Sequence, residues 1–457
     1  MSKTPLLALR LLVAALAVAA GAVQAAVPIQ HWTLPNGARV YLASVDALPI
    51  LDVQVDFDAG SRRDPAAQAG LAGVTAGMIE KGVRADDSAR AAAPAAAPYT
   101  AAMDENALGE AWADLGAAFN ASASTERLSF TLRTLSEPAL QDRAVELASR
   151  LIGQPSFPEP VWLRERERIG AAIREADTKP ATAAGKTFAR LVYGQHPYGL
   201  ETTAETLARI GVEDMRARYE RLVQPCRAKL SMVGAVTRTQ AESIAAILLS
   251  RLPAGEGCAA LPEVARIEPL AAPKDERVPF ESAQAHVFIG QPGYRRSDPD
   301  HFAMTLGNYV LGGGGFVSRL TEEVREKRGL SYSVFSYFTP GLDAGAFRIG
   351  LQTRPDQAEQ AVRVSREVLT RFVADGPTAA ELKAAKDNLV GGFPLLLDSN
   401  RKLLGNVANI AWYDLPLDYL DTWTARMNAV SAADIKAAFQ RKLQPERMVT
   451  VVVGGKG

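Results

Sequence analysis

The sequence predicts an α+β protein built of two homologous halves, each with an antiparallel-rich sheet packed against helices. An internal repeat is the first observation behind this prediction, because Ile210–Gly234 and Val430–Gly454 align without a gap at an offset of 220 residues. Each copy starts as a helical run, is broken at Gln224-Pro225 or Gln444-Pro445, and ends in an apolar strand. A period of this length is too long for a solenoid and indicates a duplicated domain.

Length and composition are the second observation, and they fit a soluble globular protein of two or more domains. The chain has 457 residues, of which 47% are hydrophobic and 22% are charged. Lys plus Arg and Asp plus Glu number 51 each, so the formal net charge is zero. A nucleic-acid-binding protein normally carries a basic patch, so nothing in this balance indicates a nucleic-acid partner.

Residues 1–25 are predicted to be a signal peptide. Lys3 and Arg10 give a positive start, Leu11–Ala20 is an apolar run too short to span a bilayer, and Val23-Gln24-Ala25 resembles a cleavage site. A buried N-terminal helix is the alternative. No later stretch reaches 18 apolar residues, so no membrane span is expected in the mature chain. We expect a periplasmic protein.

The start of the mature chain is typical of strands. Asn36-Gly37 separates two strand-like runs and predicts a hairpin. Ile50–Phe57 alternates apolar and polar residues and predicts a half-buried strand that ends before Gly60. The Ala- and Pro-rich stretch Arg84–Met103 has no apolar face and predicts a surface loop, with a short helix as the alternative.

The repeat divides the mature chain into an N-terminal domain, 26–255, and a C-terminal domain, 275–457. The linker between them, 256–274, contains Gly257, Pro262, Pro269 and Pro273, as linkers tend to.

The only two cysteines are Cys226 and Cys258. An oxidising compartment permits a disulfide between them, and two unpaired thiols are an equal alternative. Neither cysteine has a nearby histidine, so they do not form a zinc site.

Several segments resemble the pitrilysin, insulin-degrading and mitochondrial-processing peptidase family over nearly the whole mature chain. Ala59–Gly82 resembles the helix that carries H-x-x-E-H, and Asn106–Ser124 resembles the helix and strand that follow it. Leu311–Val334 is the most specific match, and Gly194–Gly199 is a weaker one. The resemblance implies a LuxS/pitrilysin-like metalloenzyme fold in which the chain forms half of a clam-shell, with peptidase-like N- and C-terminal domains.

The zinc motif itself is degenerate. In H-x-x-E-H two histidines one helical turn apart bind the metal, and the glutamate activates the bound water. Here the ligand positions are Gly73 and Gly77, and the base position is Ala76. The family's third ligand, a glutamate eight residues before a proline, corresponds to Ala172 when counted back from Pro180. No metal is therefore expected in this chain, and zinc is expected in a partner.

The histidine count supports the same reading without an alignment. The chain has four histidines, none of them three or four residues from another, so no paired-histidine motif can form. Glu165, Glu167 and Glu175 remain as possible carboxylate ligands, but carboxylates on a charged helix normally form a solvated face. The four histidines are His31, His196, His286 and His301.

Arg325 and Tyr332 match an Arg and a Tyr that, in active family members, face the zinc site from the second half. The resemblance implies that they hold the substrate backbone and steady the oxyanion. The alternative is an Arg on a helix surface and a packed Tyr on a strand. Gly312–Gly315 lacks the Lys-Ser/Thr ending of a phosphate loop and is interpreted as a helix-terminating turn.

The sequence thus predicts the non-catalytic subunit of a periplasmic, heterodimeric zinc metallopeptidase, without activity alone. Its expected partners are a homologous zinc-bearing subunit and a peptide or unfolded-protein substrate. Two other hypotheses stay open: a peptide-binding or scaffold protein with no role in catalysis, and an independent peptidase with relocated ligands.

Overall fold

The computed structural model describes residues 27–86, 100–253 and 258–455. The predicted signal peptide and residues 87–99 of the predicted surface loop lie outside these ranges. Among the described residues, no helix combines the length and apolar character needed to cross a membrane.

The first half folds around a six-stranded sheet with the order β1-β2-β8-β3-β7-β6, and β4 and β5 form a separate two-stranded ribbon. The strands are Ile29–Thr33 (β1), Arg39–Ser44 (β2), Ile50–Phe57 (β3), Gly82–Val83 (β4), Met103–Asp104 (β5), Ala118–Ala123 (β6), Leu128–Leu135 (β7) and Lys229–Gly234 (β8). The helices are Leu71–Ile79 (α1), Glu105–Asp114 (α2), Pro138–Gly153 (α3), Glu159–Asp177 (α4), Pro180–Tyr193 (α5), Ala204–Ala208 (α6), Val212–Leu222 (α7) and Arg238–Leu249 (α8).

The second half folds around a five-stranded sheet with the order β11-β12-β10-β13-β9. The strands are Lys274–Val278 (β9), Ala285–Pro292 (β10), Val334–Phe338 (β11), Ala346–Thr353 (β12) and Val449–Val453 (β13). The α-helices are His301–Asn308 (α9), Ala358–Asp375 (α10), Ala379–Gly392 (α11), Asn400–Trp412 (α12), Tyr419–Ala429 (α13) and Ala432–Lys442 (α14).

The two sheets share one topology, which confirms the predicted α+β fold of two similar halves. β2-β8-β3-β7-β6 corresponds in order to β9-β13-β10-β12-β11. In each half one pair, β2 with β8 or β9 with β13, is parallel, and the other pairings are antiparallel. Helices α5 and α12 begin 220 residues apart, as do α7 and α14.

The halves exchange helices. Helix α12 of the second half packs on β2, β3 and β8 of the first sheet, and α5 of the first half packs on β10 and β13 of the second. Apolar side chains form both contacts, such as Val407 against Val233 and Phe188 against Val451. Because each sheet buries a face under the other half's helix, the two halves are joined by apolar contact as well as by the linker.

This exchange corrects the prediction that β3 is half-buried. The bounds Ile50–Phe57 are confirmed, but the polar residues Asp52 and Asp56 are only 4% and 1% exposed. Arg127 and Ser129 bind the Asp56 carboxylate, and burial raises its pKa. The alternating pattern predicted a solvent-facing side, whereas α12 covers that side of the strand.

A buried carboxylate, Glu126, joins the halves at the turn between β6 and β7. It accepts hydrogen bonds from the Tyr198 hydroxyl, from the Leu342 backbone N–H at 2.5 Å, and from the Trp412 indole N–H at 3.0 Å. Two of these donors belong to the second half. A buried acceptor with three donors holds their geometry, since each donor would otherwise lose its partner.

Replacing Glu126 by alanine is expected to lower the free energy of unfolding by about 2–3 kcal/mol, because buried donors lose a charged acceptor. Urea unfolding followed by tryptophan fluorescence measures the change, with Glu110→Ala, an exposed residue on α2, as the control. A loss below about 0.5 kcal/mol, as surface substitutions give, would show that Glu126 does not hold the halves together.

The cysteine alternatives are resolved by the structure. Cys226 and Cys258 form a disulfide, with their Cα atoms 5.9 Å apart. The bond joins the short turn after α7 to the beginning of the segment that leads to the second half.

Candidate functional site

Helix α1 carries the degenerate zinc motif on a face open to solvent. Gly73 and Gly77 lie one turn apart and are both exposed, while Ala76 is 2% exposed and packs into the core. A Cβ atom built on either glycine would meet no other atom within 4 Å. Neighbouring side chains therefore do not fill the space of the missing ligands.

A buried ion pair anchors the N-terminus of α1. The Asp64 carboxylate accepts from the backbone N–H groups of Gly70 and Ala72, each at 3.1 Å. Arg218 of α7 donates to it at 2.9 Å and also binds the carbonyl oxygens of Ala59 and Gly60. Asp64 thus fixes the helix start to the rest of the first half.

The third ligand position, Ala172, lies exposed on α4. Two of the three candidate carboxylates are paired with cations: Glu165 with Arg168 at 2.8 Å, and Glu175 with Lys179 at 2.9 Å. No cluster of three His, Cys, Asp or Glu residues suited to a metal occurs within the three described ranges.

No two of the histidines lie on the same strand or helix. His31 stacks on Tyr41, and His196 Nε2 lies 2.8 Å from the carbonyl oxygen of Ala265. His301 is half-buried beside Tyr294, and burial lowers its pKa to about 3. His286 is on β10, where burial also lowers its pKa.

Arg325 and Tyr332 are adjacent in the structure and lie at the surface. Arg325 lies on a single helical turn, Thr321–Glu326, and the chain then reverses at Gly329, which has a φ of +59°. The guanidinium carbon is 4.8 Å from the centre of the Tyr332 ring. Tyr332 lies two residues before β11 begins and is 83% exposed, so it is not the packed strand Tyr of the alternative.

Phe316 is a third member of this cluster, which the sequence analysis did not identify. Its ring centre lies 4.7 Å from the Arg325 guanidinium carbon, on a short turn after the glycine run, and its side chain is 73% exposed. Val317 beside it is 74% exposed. The available signal was two large apolar residues directly after a glycine run, where no core pattern requires them.

The segment that carries the cluster is firmly held although its tip is exposed. The Arg319 guanidinium makes two 2.7 Å hydrogen bonds to the Glu381 carboxylate of α11, and this ion pair lowers the pKa of Glu381 to about 2. Gly312 approaches β11 so closely that a Cβ there would lie 2.5 Å from the Ser336 hydroxyl. The Phe316–Arg325–Tyr332 cluster thus presents a cation and a phenol to solvent from a fixed base.

The structure does not place the two sets of predicted site residues on one half. The Gly73, Ala76, Gly77 and Ala172 positions belong to the first half, and Arg325 and Tyr332 belong to the second. The first set lacks every group needed to bind zinc or move a proton, whereas the second retains hydrogen-bond donors suited to a developing negative charge.

Comparison with known proteins places this arrangement in a family. The model of the peptidase M16 inactive domain matches residues 209–389. The crystal structure of a peptidase M16 inactive domain from Pseudomonas fluorescens is 31% identical, with a TM-score of 0.85 over 94% of this chain and 98% of that one.

Two further proteins are similar over most of this chain. An uncharacterized zinc protease, SCO5738, from Streptomyces coelicolor is 25% identical over 93% of this chain and 89% of its own. The periplasmic protease PqqL from Escherichia coli shares the fold at 16% identity and a TM-score of 0.76, over 95% of this chain and 46% of its own. These comparisons confirm the resemblance found in the sequence: the chain belongs to the M16 peptidase family and is a non-catalytic member of it.

Proposed function

We propose that this chain is the non-catalytic subunit of a periplasmic, heterodimeric zinc metallopeptidase. A homologous partner supplies the zinc and the general base, and Arg325 and Tyr332 of this chain complete the partner's active site. The observation that carries the proposal is the exposed Phe316–Arg325–Tyr332 cluster, retained on a chain whose own ligand positions are Gly73, Gly77 and Ala172.

The exposure of the cluster supports a partner surface. Phe316, Val317 and Tyr332 are each more than 70% exposed and lie on one short segment. A group of large apolar side chains that remains uncovered marks an interaction site more often than a random surface. An arginine between two aromatic rings is also typical of the residues that dominate protein interfaces.

Length supports a paired assembly. This chain covers 46% of PqqL, so one PqqL chain is about as long as two such subunits. A complex of this chain with a second chain of similar size would have about the same total length as one PqqL chain. The predicted signal peptide and the Cys226–Cys258 disulfide both support an oxidising compartment outside the cytoplasm.

The proposal is tested by mixing this chain with a zinc-bearing homologue and measuring the cleavage of unfolded peptides. Activity well above that of either chain alone is expected. If mixing gives no gain, the subunit role is wrong, and a peptide-binding protein without a role in catalysis becomes the better description. A half-buried group of Phe288, Phe335, Tyr337 and Arg348 on the second sheet favours that alternative.

The purified chain is expected to hold no stoichiometric zinc and to cleave no peptide alone, because its ligand positions carry no donor atoms. Metal analysis after dialysis measures the zinc. A Gly73→His, Gly77→His variant is the positive control: the added side chains lie one turn apart in open space and should give weak, saturable zinc binding. One tightly bound zinc per wild-type chain would contradict the prediction.

A further inference from the structure

One face of the second sheet is only partly covered. Its other face packs against the core beneath α10 and α14, whereas on this face α5 covers β10 and β13. At the edge of this cover Phe288 contacts Phe188 of α5, and Phe288, Phe335 and Tyr337 are half-buried, with Arg348 among them. We call these four residues the Arg348 platform.

Aromatic rings surround Arg348 on the platform. Its guanidinium carbon lies 4.3 Å from the ring centre of Phe288 and 4.8 Å from that of Tyr337. Gly350 makes room for the rings, because a Cβ at this position would lie 2.6 Å from the Phe335 ring. Rings and guanidinium together form a surface with apolar contact area and one positive charge.

Arg348 has no acidic partner among the residues that the structure describes. Its Nε is buried and makes no hydrogen bond. Arg133, which lies on the first sheet, has Asp52 at 3.6 Å, and Arg319 is bound by Glu381. Burial lowers the pKa of Arg348, which reflects the cost of holding this charge without an anion. A half-buried cation is normally paired, so its counter-charge is expected from a bound molecule.

We propose that the Arg348 platform binds a carboxylate of an extended peptide, while the rings pack against a neighbouring apolar side chain of the same peptide. The inference rests on the proposed function, in which the chain handles peptides, and it specifies their chemistry. A guanidinium binds a carboxylate through two parallel hydrogen bonds, and aromatic faces add apolar contact area. The carboxylate comes from an acidic side chain or from the peptide's C-terminus.

Three fluorescein-labelled ten-residue peptides distinguish these sources. One contains a Leu-Glu pair and an amidated C-terminus, the second has Gln in place of Glu and a free C-terminus, and the third has Gln and an amidated C-terminus. Fluorescence anisotropy with the full chain alone should show one of the first two binding about tenfold more tightly than the third, as one charge-assisted contact gives. Equal affinities for all three, or no binding of any, would overturn the proposal.

Arg348→Gln is expected to abolish the preference, and Arg348→Lys to keep part of it through the charge. Arg133→Gln is the matched control, because that arginine lies on the first sheet and already has an acid beside it. A preference that survives in Arg348→Gln would also overturn the proposal. If that variant does not fold, the three-peptide comparison on the wild-type chain decides. The test needs no partner chain, so its failure is distinct from failure of the mixed-complex experiment.

Discussion

Tyr332→Phe is expected to lower the turnover of the mixed complex by about 10²–10³-fold, or ~2.7–4 kcal/mol of transition-state stabilisation, as the loss of one oxyanion donor does. In the proposed complex the partner would supply zinc and a general base, and the Tyr332 hydroxyl would donate a hydrogen bond to the oxyanion that develops on the substrate. The substitution removes only the hydroxyl. The ring and its contact with Arg325 remain, so the segment keeps its shape.

Arg325→Ala is expected to cause a loss of similar size by removing a fixed charge with several N–H donors. It also removes the group that lies between the Phe316 and Tyr332 rings, so Arg325→Lys serves as a second variant that keeps the charge. Arg328→Ala is the matched control: both arginines have an acidic neighbour, Glu326 beside Arg325 and Glu323 beside Arg328, but Arg328 lies outside the aromatic cluster.

Peptide cleavage by the reconstituted pair measures these effects, together with the size of the complex and its zinc content. Both variants should form the complex and leave the partner's zinc in place. If Tyr332→Phe and Arg325→Ala both turn over at the wild-type rate, this chain contributes no catalytic residue and serves as a scaffold only.

The second large effect is expected at the buried Asp64–Arg218 pair. Arg218→Ala should lower the free energy of unfolding by about 3–5 kcal/mol, because it leaves the Asp64 carboxylate buried without its counter-charge. Burial already destabilises the charged form of Asp64 and raises its pKa, even with Arg218 present. The same substitution releases the carbonyl oxygens of Ala59 and Gly60 from their donor.

Urea unfolding monitored by circular dichroism measures this change. Arg216→Ala is the control, because Arg216 lies on the same helix but pairs with the exposed Glu213, where a loss below about 1 kcal/mol is expected. If the Arg218→Ala and Arg216→Ala variants have the same free energy of unfolding, the buried pair does not anchor α1.

The sequence by itself determined the duplicated α+β fold and the absence of a paired-histidine motif. The Ile210–Gly234 and Val430–Gly454 copies adopt the same helix, turn and strand, since a proline break and an apolar run are local signals. The hairpin at Asn36-Gly37 is also local, with Gly37 at a φ of +86°. The spacing of the four histidines along the chain is a property of the sequence, so no fold can create a motif with two histidines one helical turn apart.

Only the tertiary structure decided what lies across from each element. Asp52 and Asp56 are polar residues in an alternating strand, and nothing near them in the chain indicates that α12, more than 340 residues later, covers them. The partners of Glu126 and the pairing of Cys226 with Cys258 are non-local in the same way. Phe316 joins Arg325 and Tyr332 because a turn brings them together. The periodicity of apolar residues indicates that a strand or helix has a buried face. It does not indicate which element covers that face, because this depends on how the two halves pack against each other.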